Sequence, residues 1–180
     1  MGDNYMKDKF IRDEIYTLSW SAAVGRSKIY RENIGESERL EIKNFVKSFI
    51  DNNFISYYKN AVNDETHNQN IINLSKEVSK KFTTILYNNV FRIGTSQKVL
   101  NLYLKYLWCM DKIQTPPHCP IDGIILNILA KKSLTKDQRS VFSISWTKLN
   151  DIDEYFKIIQ EARTIVGSDL SSWELKYWSS

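Results

Sequence analysis

A lysine is a nucleophile only when its amine is neutral, and a carboxylate accepts a proton only when it is held where that proton leaves. Lys98 and Asp122 are the residues of this chain best placed for such chemistry. Lys98 sits on the first turn of the stretch Ser96–Met110, in which Val99, Leu100, Leu102, Tyr103, Leu104, Tyr106, Leu107 and Trp108 make it apolar on most sides. It has two readings. It projects from a solvated face, with Asn101 and Lys105 continuing a polar stripe at i+3 and i+7. Or it is desolvated, which disfavours an ammonium and frees a nucleophilic amine. Asp122 follows Pro116-Pro117-His118-Cys119-Pro120, a stiff extended run. At the start of the next apolar segment it serves as a helix N-cap, as a rigidly delivered carboxylate, or as both. Gly94-Thr95-Ser96 stands where the apolar helix begins. There, unpaired amides and the positive end of the helix dipole form a phosphate site, or the three residues are an ordinary loop and cap.

Other chemistries find less support. His67, His118, Cys109 and Cys119 lack the spacing of a zinc site. Pro120-Ile121-Asp122 with Glu174-Leu175-Lys176 mimics the layout of metal-dependent nucleases, which need those parts on adjacent strands. There is no Walker loop, dinucleotide fingerprint or G-x-S-x-G elbow.

Most of the elements that must position these residues read as helix. Apolar positions at helical spacing run from about Asp8 to Tyr30, with Gly25 as a break. Further helices are expected over Glu36–Phe49 and Phe54–Val62, and from an Asn63-Asp64 cap through Leu86, with Asn88-Asn89 as the stop. After the Phe91–Thr95 loop, Thr95 or Ser96 caps the helix that carries Lys98. Ile121–Ala130 is a short helix, Lys131–Arg139 a basic loop, and 139–147 a strand or irregular segment. Asp151 opens a helix that Gly167 closes, and Ser168 caps a last one through Trp178.

The run Ile93-Gly94-Thr95, Lys98 and then Pro120-Ile121-Asp122 resembles the helix–hairpin–helix DNA glycosylases, most of all their 8-oxoguanine branch. The resemblance implies a hairpin that grips a phosphate, a nucleophilic Lys98 that attacks the sugar C1′, and an assisting Asp122. It implies duplex DNA with a damaged or modified base as partner, and no cofactor or metal. Arg92, Gly94, Thr95, Ser96 and Lys105 would hold the nucleic acid, and Lys112, Lys131, Lys132, Lys136 and Arg139 extend the basic character of this half. An extruded base needs a pocket of aromatic or apolar side chains. Trp20, Phe91, Trp108, His118 and Trp173 are the main candidates, with Tyr57, Tyr58 and Trp146 as further aromatics.

Composition bounds the rest. The chain has 180 residues, 13% of them aromatic, so it is not disordered, and its length buries a core without disulfide or metal staples. Gly (6) and Pro (3) are too scarce for a sandwich or barrel of hairpins. The expected fold is therefore all-α or mostly α, packed around a central apolar helix, as one domain over 1–180 or as two lobes, 1–90 and 91–180. The formal charge of +4 permits a polyanionic partner without demanding one. Two cysteines make no disulfide framework and suit a reducing cytosol. With no apolar leader and no long apolar run, the sequence reads as a cytoplasmic monomer. Two functions compete on these residues: a DNA glycosylase with or without lyase activity, and a non-catalytic helical module that binds nucleic acid or protein.

Overall fold

A computed structural model describes residues 2–177, and among them eight α-helices and no strand. They are α1 (Gly2–Val24), α2 (Glu36–Asn53), α3 (Asp64–Lys81), α4 (Ile93–Cys109), α5 (Gly123–Lys132), α6 (Lys136–Val141), α7 (Ile152–Val166) and α8 (Leu170–Leu175). The strand expected near 139–147 does not form. Thr135 accepts a hydrogen bond from the Gln138 amide and starts α6 instead, and no neighbouring strand is present to satisfy an extended backbone there. The only pairing of that kind among the described residues is an isolated bridge between Tyr30 and Leu86.

Local signals explain most boundaries. Asn63 accepts from the Thr66 amide, Asp122 from those of Ile124 and Ile125, and Asp151 from that of Asp153, so α3, α5 and α7 each begin on a side-chain cap. Gly167, at φ 96°, ends α7 in a conformation that a residue with a Cβ rarely adopts. Other boundaries differ from expectation. α2 continues through the Asp51-Asn52-Asn53 cluster, the segment after it makes only a 3₁₀ turn at Tyr57–Lys59, and α3 stops at Lys81. Asp169 rather than Ser168 caps α8, and the expected continuation to Trp178 lies outside the described residues.

α4 is buried at every residue from Ile93 to Lys105. α1 lies along it, α3 and α7 pack on its other sides, and α7 also touches α5, α6 and α8. Aromatic rings lock the α1–α4 contact: Tyr103 meets Tyr16 edge-to-face at 5.5 Å, and Phe91 stacks on Trp20 at 6.2 Å. A helix enclosed on all sides must also bury its polar residues, so Gln97, Lys98, Asn101 and Lys105 need partners inside the protein.

Candidate functional site

Gln97, Asn101 and Lys98 settle how the proline-rich segment meets α4. The extended run 116–122 has no ladder to satisfy its backbone, and side chains do so instead. Gln97 donates from Nε2 to the Ile121 carbonyl at 2.7 Å and accepts from the Ile121 amide at 3.1 Å. Asn101 donates to the Cys119 carbonyl at 3.2 Å and to the Tyr155 hydroxyl at 3.0 Å. Ser171 donates to the Pro116 carbonyl and Arg163 to that of Pro117. The segment is thereby stapled to the first half of α4 and, at its start, to α7 and α8, and its end brings Asp122 against Lys98.

Lys98 Nζ donates to Asp122 Oδ2 at 2.5 Å, with only 4% and 16% of the two side chains exposed. The other oxygen, Oδ1, accepts from the amides of Ile124 at 2.9 Å and Ile125 at 3.0 Å. Asp122 is therefore both a helix cap and the partner of Lys98, and the solvated-face reading of Lys98 does not hold. Burial pushes the Asp122 carboxyl up, but the Lys98 charge, its hydrogen bond and the two amides outweigh that and hold it below its ordinary value.

The pair opens onto a cavity of about 260 Å³, lined also by Arg26, Ile124, Trp146, Glu174 and Tyr177. That is close to the lower end of small-molecule pockets, roughly 300 Å³, and fits one small ring system. The Lys98 ammonium lies 6.0 Å from the centre of the Trp146 ring. About two turns along α4, Lys105 pairs with Glu174 of α8 at 2.7 Å, both nearly fully buried. Burial raises the Glu174 carboxyl above its ordinary value, with Lys105 opposing. Arg26 is exposed on the rim, and Lys132 lies over the Tyr177 ring at 5.8 Å, so the pocket mouth is basic.

Several expected site residues are elsewhere. Gly94, Thr95 and Ser96 form no open phosphate site. The Gly94 amide donates to the Leu149 carbonyl at 2.8 Å, Thr95 and Ser96 are wholly buried, and the 146–149 turn packs so close that a Cβ on Gly94 would overlap the Trp146 carbonyl oxygen. α4 starts at Ile93, ahead of the two hydroxyl residues proposed to cap it. Lys105 is buried against Glu174 and out of reach of a phosphate backbone. Arg92 donates to the carbonyls of Thr147 and Lys28 and so ties that turn to the connection that follows α1. Among the aromatic candidates, Trp20 and Phe91 belong to the core, Trp108 packs on it, and Trp173 packs on Tyr177 beside the cavity rather than lining it. Tyr57 is exposed and Tyr58 is buried beside His67. Trp146 alone of those aromatics lines the cavity.

His118 is wholly buried. Its Nε2 lies 3.0 Å from Asp64 Oδ1 and its Nδ1 2.9 Å from the Tyr155 hydroxyl. Asp64 is held well below the usual carboxylate range by Arg163 and His118, so it is ionised, and the network places the His118 proton on Nε2 with Nδ1 accepting from Tyr155. His118 thus anchors the proline segment and is not part of a pocket wall. No group of three or more His, Cys, Asp or Glu among the described residues is arranged to hold a metal ion. The nuclease-like pattern does bring Asp122 and Glu174 to one cavity, but from helices, and each is engaged by a lysine. Gln97, Arg26 and Tyr177 carried no signal in the sequence. Gln97 reads as one more polar residue on a helix, and the other two gain meaning only from the neighbours the fold gives them.

The class defined by these features is an all-helical protein with a lysine–carboxylate pair at the floor of a small, basic-rimmed pocket. Comparison with family models, curated proteins and solved structures found no match.

Proposed function

We propose that the protein is a DNA glycosylase with abasic-site lyase activity, in which Lys98 is the nucleophile and Asp122 its proton acceptor. The observation that carries this reading is the 2.5 Å contact between Lys98 Nζ and Asp122 Oδ2 at the floor of a cavity open to solvent. A lysine nucleophile needs desolvation, a base within hydrogen-bond reach and access to a space for the substrate, and the near-complete burial of Lys98, its contact with Asp122 and its place in the cavity wall support that role. In the reaction, Asp122 takes a proton from the Lys98 ammonium, and the neutral amine forms a bond to C1′ as the bond to the base breaks. A proton then passes from the nitrogen to O4′ as the C1′–O4′ bond breaks, which leaves the opened sugar as a Schiff base; loss of a C2′ proton expels the 3′-phosphate, and water hydrolyses the Schiff base to free Lys98. Trp146 lines the cavity and would flank an extruded base, and Arg26 and Lys132 would supply positive charge for the flanking phosphates. α3, the 82–92 connection and α4 take the part of the helix–hairpin–helix unit, with Lys98 in the second helix.

Borohydride trapping on duplexes that carry a preformed abasic site tests the reading. Wild-type protein becomes covalently attached, and Lys98→Gln does not, while it retains duplex binding. Absence of trapping by the wild type on abasic DNA and on a panel of modified bases would return the chain to the class of non-catalytic helical binding modules.

A further inference from the structure

The cavity holds a second carboxylate that the Lys98–Asp122 pair does not use. Glu174 reaches it from α8, and its Oε2 sits 2.7 Å from Lys105 Nζ. Oε2 is shut away from solvent, and no hydrogen bond among the described residues ends on Oε1, so Oε1 is the atom left to face the cavity. Asp122 has no such capacity. Its Oδ1 is occupied by two amides and its Oδ2 by Lys98.

We propose, resting on the glycosylase reading, that Glu174 is the proton donor to the departing base. Asp122 takes one proton from the Lys98 ammonium. The Nζ lone pair forms the bond to C1′, and the electron pair of the C1′–base bond leaves with the base. Glu174 in its protonated form gives its proton to that base, and Lys105, 2.7 Å from Oε2, holds the carboxylate that results.

The environments of the two carboxyls divide the roles. Lys98 and two amides hold Asp122 ionised, whereas burial raises Glu174 and Lys105 only partly opposes it. The charged groups facing Glu174 are Lys105, Lys98 and Asp122, and Lys105 is the strongest of them. Removing Lys105 therefore raises Glu174 further, because it takes away the cation that favours the carboxylate.

The test compares base release with chemistry on DNA that has no base to release. The substrates are a preformed abasic duplex and duplexes carrying 8-oxoguanine, uracil or an alkylated adenine. Glu174→Gln should slow base release about 100-fold or more, the range of a lost general acid, and change abasic trapping by no more than about twofold. Lys105→Met gives an independent readout that serves even if Glu174→Gln does not fold. Release requires protonated Glu174 and declines as pH rises through its pKa, so this variant should move the alkaline limb of the release profile to higher pH and leave the abasic profile in place. Base release at the wild-type rate in Glu174→Gln, equal loss of release and trapping, or an unmoved limb in Lys105→Met would each overturn the role of Glu174. So would a wild type that traps on abasic DNA yet releases no base from any of these duplexes. A wild type inert on every substrate, abasic DNA included, would instead overturn the glycosylase reading beneath it.

Discussion

Asp122→Asn separates the two roles of Asp122, because asparagine caps a helix about as well as aspartate but cannot neutralise a lysine. The cost is therefore that of leaving the Lys98 ammonium without its partner. Breaking a buried pair by removing one member costs about 3–5 kcal/mol. Asp122 keeps 16% of its side chain exposed, so some water reaches the gap, and the lower end, about 3 kcal/mol, applies. In a chain of this length about 1 kcal/mol shifts the melting temperature by 2–4 °C, so the midpoint should fall by about 6–12 °C. Lys98→Met is milder. It leaves a carboxylate that still accepts two amide hydrogen bonds and still touches water, at about 1 kcal/mol. The double variant Lys98→Met/Asp122→Asn should match Lys98→Met and so recover about 2 kcal/mol relative to Asp122→Asn alone. Urea unfolding followed by circular dichroism measures all three. The pH dependence gives a second check. The folded Asp122 carboxyl lies below its unfolded value, so the stability it supplies is present above about pH 4 and is lost as pH falls through the folded value. Asp122→Asn should flatten that acid limb. Asp122→Asn within about 1 kcal/mol of wild type, or Lys98→Met as damaging as Asp122→Asn, would refute the buried-pair account.

Gly94→Ala should destabilise by about 2–4 kcal/mol in the same unfolding assay, since its Cβ meets the Trp146 carbonyl and forces the 146–149 turn away from α4. Asp64→Asn should remove a further part of the acid limb, because the depressed Asp64 carboxyl stabilises the fold above about pH 4 and loses that contribution as pH falls below it. In fluorescence binding titrations, Arg26→Ala and Lys132→Ala should each flatten the salt dependence of duplex affinity by about 0.9 units of log K per log salt, and affinity insensitive to salt would remove nucleic acid as the partner.

The helical class and most of its punctuation are legible in the order of the residues alone. Asn63, Asp122 and Asp151 announce helix starts and Gly167 announces a stop because caps and turns are local, set by one side chain and the amides two or three residues on. Proline rigidity likewise marks 116–120 as a connector, and the residue types of Lys98 and Asp122 mark them as the pair whose chemistry would need them to meet. Tertiary structure decided everything that depends on which surfaces meet. Lys98 and Lys105 lie two turns apart on one helix and look alike in the sequence. One faces a carboxylate brought by the proline segment, the other a carboxylate brought by α8, and both are buried because α1, α3 and α7 enclose α4. The Gly94-Thr95-Ser96 amides were legible as a helix N-terminus, but whether such an end meets solvent or another segment is fixed by chain far away in sequence, here Trp146–Leu149. The pocket wall follows the same rule. Aromatic residue type marks what is apolar enough to line a cavity, whereas the line between core and cavity is drawn by packing. Trp20 and Phe91 therefore fill the interior while Trp146, Glu174 and Tyr177 enclose the space above Lys98.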